Sequence, residues 1–261
     1  MTRAQGPRRT SVAIGITAAT VLLALLAACG GGDEDDAPAS TSYGIETLMP
    51  AVAKAVGGEE YVHLGIGDHR GRGEVQVDLA WAGDKPEFRA LTGDEPGEFL
   101  EFRRVNGRMY VGGEAADNEW TYLADDDPRA LGEDENFDAG ATPVLLTLDV
   151  PGDYDSLVDA VDKVQNEGQE EMAGVATTHY VVTVDSQAWR DALPERSMHR
   201  QVDVEDELVL DLWIDEASLP VRLEYSGTGN TEKVRVDYTS WGTPIAVVEP
   251  EGAEPQDSET S

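Results

Sequence analysis

The chain has 261 residues, with 52 Asp and Glu against 19 Lys and Arg, and a formal charge of −33 at pH 7. Nucleic acid and anionic membrane surfaces both demand clustered cations, so so acidic a chain excludes them as partners. Its single cysteine, Cys29, excludes an internal disulfide or a dithiol redox couple.

At the N-terminus Arg3, Arg8 and Arg9 precede an uncharged apolar stretch from Val12 to Ala28, and Cys29 is followed by three glycines. This is the layout of an export signal. At 17 residues the stretch is marginal for a bilayer span. Leu26-Ala27-Ala28-Cys29 resembles the lipobox of bacterial lipoprotein signals. The resemblance implies a diacylglycerol on the Cys29 sulfur, cleavage just before it, and attachment to the outer face of the cytoplasmic membrane. Two or more acyl chains hold firmly where one does not. The pair Arg8-Arg9 is followed by Thr10-Ser11, a poor twin-arginine motif, so Sec export is expected. Residues 1–28 are then the signal peptide. Residues 29–42 are a lipidated cysteine and a flexible acidic spacer, since Gly-Gly-Gly-Asp-Glu-Asp-Asp has nothing to bury. Residues 43–248 make one folded domain, and 249–261 read as a disordered acidic tail.

In the domain, Ile45, Leu48, Met49, Val52 and Val56 recur at helical spacing, with Ser42 as cap and Gly57-Gly58 as stop. Pro50 means that this helix either kinks there or begins near it. From Glu59 the period becomes two: Val75, Val77, Leu79 and Trp81 alternate with Glu74, Gln76, Asp78 and Ala80. Asn106-Gly107 between Phe99–Val105 and Arg108–Gly112 predicts a hairpin, because both central residues of a type I′ turn need positive φ. Trp120 to Leu123 reads as another strand. A second amphipathic helix is predicted from Ser156 to Glu167, with Leu157, Val158, Val161 and Val164 on one face and Gly168 as its end. A strand follows from Thr177 to Asp185. A short helix capped by Ser186 then stops before Pro194. Three more strands span Glu207 to Asp215, Val221 to Ser226 and Glu232 to Trp241.

Short connections make the sheet antiparallel. With two or three helices the fold class is α+β: a curved antiparallel half-barrel whose concave face the helices cover. In the Glu207 strand Leu208, Leu210, Leu212 and Ile214 point one way. An apolar face of this kind is either solid core or the wall of a pocket, and the alternation alone does not choose.

Val175-Ala176-Thr177-Thr178-His179-Tyr180, Leu212-Trp213-Ile214-Asp215, Leu219-Pro220-Val221-Arg222 and Tyr238-Thr239-Ser240-Trp241-Gly242-Thr243-Pro244 resemble the actinobacterial LppX/LprA/LprG lipoprotein family. More weakly, the likeness reaches back to the Asn106-Gly107 hairpin and the first helix. It implies a half-barrel like that of the periplasmic lipoprotein carrier LolA, and an acyl lipid or glycolipid held in a hydrophobic cavity. Candidate lining residues are Leu157, Val161, Val164, Leu208, Leu210, Leu212, Ile214, Val221, Leu223 and Tyr225, with Asp125 to Pro151 as a movable cover. The chain departs from the family in its acidity and its acidic insertion, Asp125 to Asp138.

No cofactor and no catalytic constellation are expected, and the protein is read as a monomer and not an enzyme. His63, His69, His179 and His199 lack any zinc spacing. There is no Gly-x-Ser-x-Gly elbow and no phosphate loop. Asp134, Asn136 and Asp138 space oxygen ligands like a calcium loop, but Ala139 stands where glycine is wanted and Leu145 where glutamate should be. A solvated acidic loop is the reading there. The alternative to lipid binding is an interaction or signalling lipoprotein that uses the half-barrel as a solid scaffold.

Overall fold

The computed structural model describes residues 42–68, 75–81, 85–92, 99–124, 127, 148–194, 197–201, 204, 207–226 and 233–256. Cys29, His69 and the candidate calcium residues Asp134, Asn136 and Asp138 lie outside the described residues. So does nearly all of the expected cover at Asp125 to Pro151.

The strands are β1 Tyr61–Asp68, β2 Val75–Ala80, β3 Glu87–Thr92, β4 Leu100–Val105, β5 Arg108–Gly112, β6 Thr121–Ala124, β7 Val161–Met172, β8 Val175–Asp185, β9 Glu207–Ile214, β10 Pro220–Ser226, β11 Lys233–Thr239 and β12 Glu254–Pro255. They form one open sheet in the order β12-β6-β5-β4-β3-β2-β1-β11-β10-β9-β8-β7. Every pairing is antiparallel except that of β12 with β6. The centre joins the two halves of the chain: β1 pairs with β11, setting Leu64 opposite Tyr238 and Ile66 opposite Val236.

Alternation along each strand sorts the two faces. Val77 and Leu79 of β2, Phe88 and Ala90 of β3, and Phe102 of β4 turn inward and are fully buried. Outward, opposite charges meet across strands. Asp78 faces Arg89, and both Arg89 Nε and Arg103 Nε donate to Glu101 Oε1 at 2.6 and 2.7 Å. Burial pushes Glu101 upward, but the hydrogen bonds and charges of Arg89 and Arg103 together outweigh it and hold the carboxyl below its ordinary value. The row continues where Arg222 Nε donates to Asp237 Oδ1 at 2.6 Å, and ends where the His179 ring stacks on Trp213 at 4.3 Å. The Asn106-Gly107 turn has the expected geometry, with φ of +54° and +71°.

Helix α1, Leu48–Val56, begins near Pro50, which falls in its first turn where a missing N–H costs nothing. Thr47, not Ser42, holds the N-cap position, and Ile45 is 46% exposed, off the buried stripe. Helix α2 is Val150–Asp155, capped by Asp149, whose side chain accepts from Gly152 N. Helix α3 is Ser186–Ala192; its cap is Asp185, accepting from Gln187 N and Ala188 N, rather than the expected Ser186.

The helix predicted from Ser156 to Glu167 is corrected. Residues 156–160 are turn, and Val161 onward is β7, paired along its length with β8. Two bulges explain the deception. Asp162 and Glu167 are extra residues, because Val161 and Lys163 oppose Val184 and Thr183, and Asn166 and Gly168 oppose Tyr180 and His179. Each bulge shifts the two-residue alternation by one, so the less exposed positions of β7, Val161, Val164, Gly168 and Met172, fall at intervals of three and four and imitate a helix.

The tail is also bound further than its polarity suggests. Arg103 donates to Val248 O at 3.0 Å, Asn106 Nδ2 donates to Glu249, and Glu254 N and Gln256 N donate to Trp120 O and Tyr122 O at 3.0 Å. Glu254 and Pro255 therefore extend the sheet as β12; 257–261 lie outside the described residues.

Candidate functional site

The inner face of the sheet and its helices meet in one apolar cluster. Leu157, Leu208, Leu210, Leu212, Ile214, Leu223 and Tyr225 are all brought together there, each no more than 4% exposed. Val161 and Val164 sit at its margin on the edge strand β7, half-buried. Val221 is buried at the bulge between Pro220 and Arg222, outside that cluster. Leu48, Met49, Val52 and Val56 of α1 and Tyr154 of α2 close the cluster from above. At this place the apolar face is filled core.

A cavity does remain, bounded by Asp153, Tyr154, Leu157, Trp189, His199, Leu210, Leu223 and Tyr238. It is a small space, with room for a single water. Among the described residues no Lys or Arg bounds it.

Its polar side is built from three separate segments. Asp153 comes from α2, Ser197 and His199 from the 3₁₀ turn Met198–Gln201 and the residue before it, and Tyr225 from β10. Ser197 Oγ donates to Asp153 Oδ1 at 2.5 Å. His199 Nδ1 and the Tyr225 hydroxyl share a hydrogen bond of 2.7 Å. Burial pushes the Asp153 carboxyl up to about 8 and His199 down to about 4, so both stand neutral at pH 7. The neutral ring carries one proton. Placing it on Nε2 lets Tyr225 donate to Nδ1 and turns the N–H toward Asp153 Oδ2, 3.5 Å away. Around the cluster Trp189 lies 5.5 Å from His199 and edge-on to Tyr225 at 6.1 Å. Burial also raises Tyr154, Tyr225 and Tyr238 well above their ordinary values.

Sequence reasoning finds Tyr225 and Leu157 but not Asp153, Tyr154, Trp189, Ser197 or Tyr238, and treats His199 as a scattered histidine. The one available signal is that Asp153, Tyr154, Trp189 and His199 all fall in or beside short helices. Such segments carry no spacing that would link them. Of the other histidines, His63 bridges Asp78 and Gln76 at 2.8 Å and His179 lies against Asp211 at 3.0 Å, both on the outer face. Among the described residues no group of three His, Cys, Asp or Glu comes together to hold a metal, and no helix is long and apolar enough to cross a membrane.

No family model matches the chain, and no curated protein does. Among solved structures, LprF from Mycobacterium bovis aligns with 80% of this chain and 97% of its own length, at 17% identity and a TM-score of 0.54. The chain has the fold of LprF. The lipoprotein LppX of Mycobacterium tuberculosis aligns with 78% of this chain and 98% of its own at 15% identity, with a TM-score of 0.49. The LprF likeness bears out the open half-barrel with helices on one face that the family resemblance implied.

Proposed function

We propose that this is an envelope lipoprotein, tethered by acylated Cys29 to the outer face of the cytoplasmic membrane, that binds acylated lipid or glycolipid between its sheet and its helices and passes it on. It acts as a monomer and carries no catalytic chemistry. The observation that carries this is the roof. Among the described residues, an LprF-like sheet with a continuous apolar inner face is covered by helices of 9, 6 and 7 residues. Helices shorter than about 12 residues are marginal alone, so these are held by apolar contact with the sheet. An acyl chain offers the sheet the same contact. Each methylene withdrawn from water is worth about 0.8 kcal/mol, so sheltering a long chain between sheet and roof is worth on the order of 10 kcal/mol. No charge or metal is needed.

A specific observation favours the alternative: most of the residues expected to line a cavity, Leu208, Leu210, Leu212 and Leu223 among them, lie in filled core around a water-sized space. A solid half-barrel would serve as an interaction or signalling scaffold. Uptake of a fluorescent fatty acid by the purified full-length protein separates the two. Saturable uptake with a blue-shifted spectrum supports lipid binding; a probe that stays in water at all protein concentrations supports the scaffold.

A further inference from the structure

Two buried polar groups at the cavity make no hydrogen bond. Trp189 is 2% exposed, and its indole N–H has no partner. Tyr154 is 1% exposed, and its hydroxyl, although the Tyr238 hydroxyl is its neighbour, completes no hydrogen bond of ordinary geometry. Leaving a buried donor unmade is unfavourable by more than a typical hydrogen bond contributes, and native structures rarely tolerate it without reason. Here both groups bound the same small space. An indole N–H can only donate, so whatever satisfies it must be an acceptor. The space admits one oxygen-sized group.

We propose that Trp189 Nε1 and Tyr154 Oη form a seat for one uncharged headgroup oxygen of a lipid, a hydroxyl, and that the seat selects neutral over anionic headgroups. This rests on the lipid-binding reading and specifies its ligand class. The selection follows from charge. Among the described residues no cation bounds the cavity, and Asp153 does. A phosphate there would meet a carboxyl and no counter-charge, and a buried unpaired anion is strongly disfavoured. A neutral oxygen can accept from the Trp189 N–H and the Tyr154 hydroxyl, and the Asp153 carboxyl, held protonated by burial, does not repel it.

The test uses the full-length lipoprotein purified from membranes and stripped of bound lipid, with three pyrene-labelled probes of matched chain length: a plain hydrocarbon, a diacylglycerol and a phosphatidic acid. The native protein is expected to bind the diacylglycerol at least tenfold more tightly than the phosphatidic acid. Trp189→Phe and Tyr154→Phe are each expected to lower the ratio of diacylglycerol to hydrocarbon affinity by about three- to tenfold, the range for one neutral hydrogen bond. Tyr154→Phe removes one oxygen and keeps the ring, so it stands as the test if Trp189→Phe folds poorly. Equal affinity for the two headgroups, or an unchanged ratio in Tyr154→Phe, overturns the seat while leaving lipid binding intact. Failure of all three probes to bind overturns both.

Discussion

His199 Nε2 lies 3.5 Å from Asp153 Oδ2, yet burial drives the two groups toward neutrality rather than into an ion pair. The pH dependence follows. Asp153 titrates near 8 in the fold against an ordinary 3.8, so its contribution to stability is full below about 4 and is lost as pH rises through 8. His199 titrates near 4 against 6.5, so its contribution is full above 6.5 and is lost as pH falls through 4. The two slopes offset each other between about 4 and 6.5. From 6.5 to 8 Asp153 acts alone, and stability falls by on the order of 1 kcal/mol per pH unit. Urea midpoints of Asp153→Asn should lose that alkaline slope. An identical slope in the variant contradicts the assignment.

Gly112 and Gly107 predict different losses from one hairpin. A methyl at Gly107 meets nothing within 4 Å, and only the φ of +71° opposes it, so Gly107→Ala is expected to destabilise by about 1 kcal/mol. At Gly112 the methyl would stand 2.5 Å from the Trp120 ring and 2.6 Å from Glu119 O, and that ring is also held by the Arg103 guanidinium 4.7 Å away. Gly112→Ala should therefore lose clearly more, and should quench or shift Trp120 fluorescence. Equal losses would contradict this packing.

What the sequence discloses and hides has a physical pattern. Asn106-Gly107 is legible because its signal is local and its φ values leave few residue choices. The alternation in β2, β8 and β9 is legible because each strand buries alternate residues over most of its length. β7 is misread because an alternation interrupted by Asp162 and Glu167 has the interval of a helix. The polar cluster is hidden because Asp153 and Ser197 are 44 positions apart and meet only through the fold.

Met49 on α1 is fully buried under the roof. Met49→Ala is expected to destabilise by about 2–5 kcal/mol. If the roof yields to lipid, the same change should speed fatty-acid uptake in stopped-flow fluorescence. Lost stability without faster uptake would favour the scaffold.

Cys29→Ser removes the only sulfur that an acyl group could occupy. The variant should move from the membrane pellet to the soluble fraction and should lack the mass of the acyl chains. Retention in the pellet at native mass would contradict the lipid anchor.

Whether the half-barrel carries lipid is read out by native mass spectrometry of the full-length protein, expressed with its own signal in a bacterial host. Beyond the covalent acyl mass on Cys29, an additional non-covalent mass is expected that collisional activation releases as an acylated lipid. Repeated recovery of protein carrying only its covalent mass, under conditions that preserve bound lipid in other lipoproteins, would contradict it.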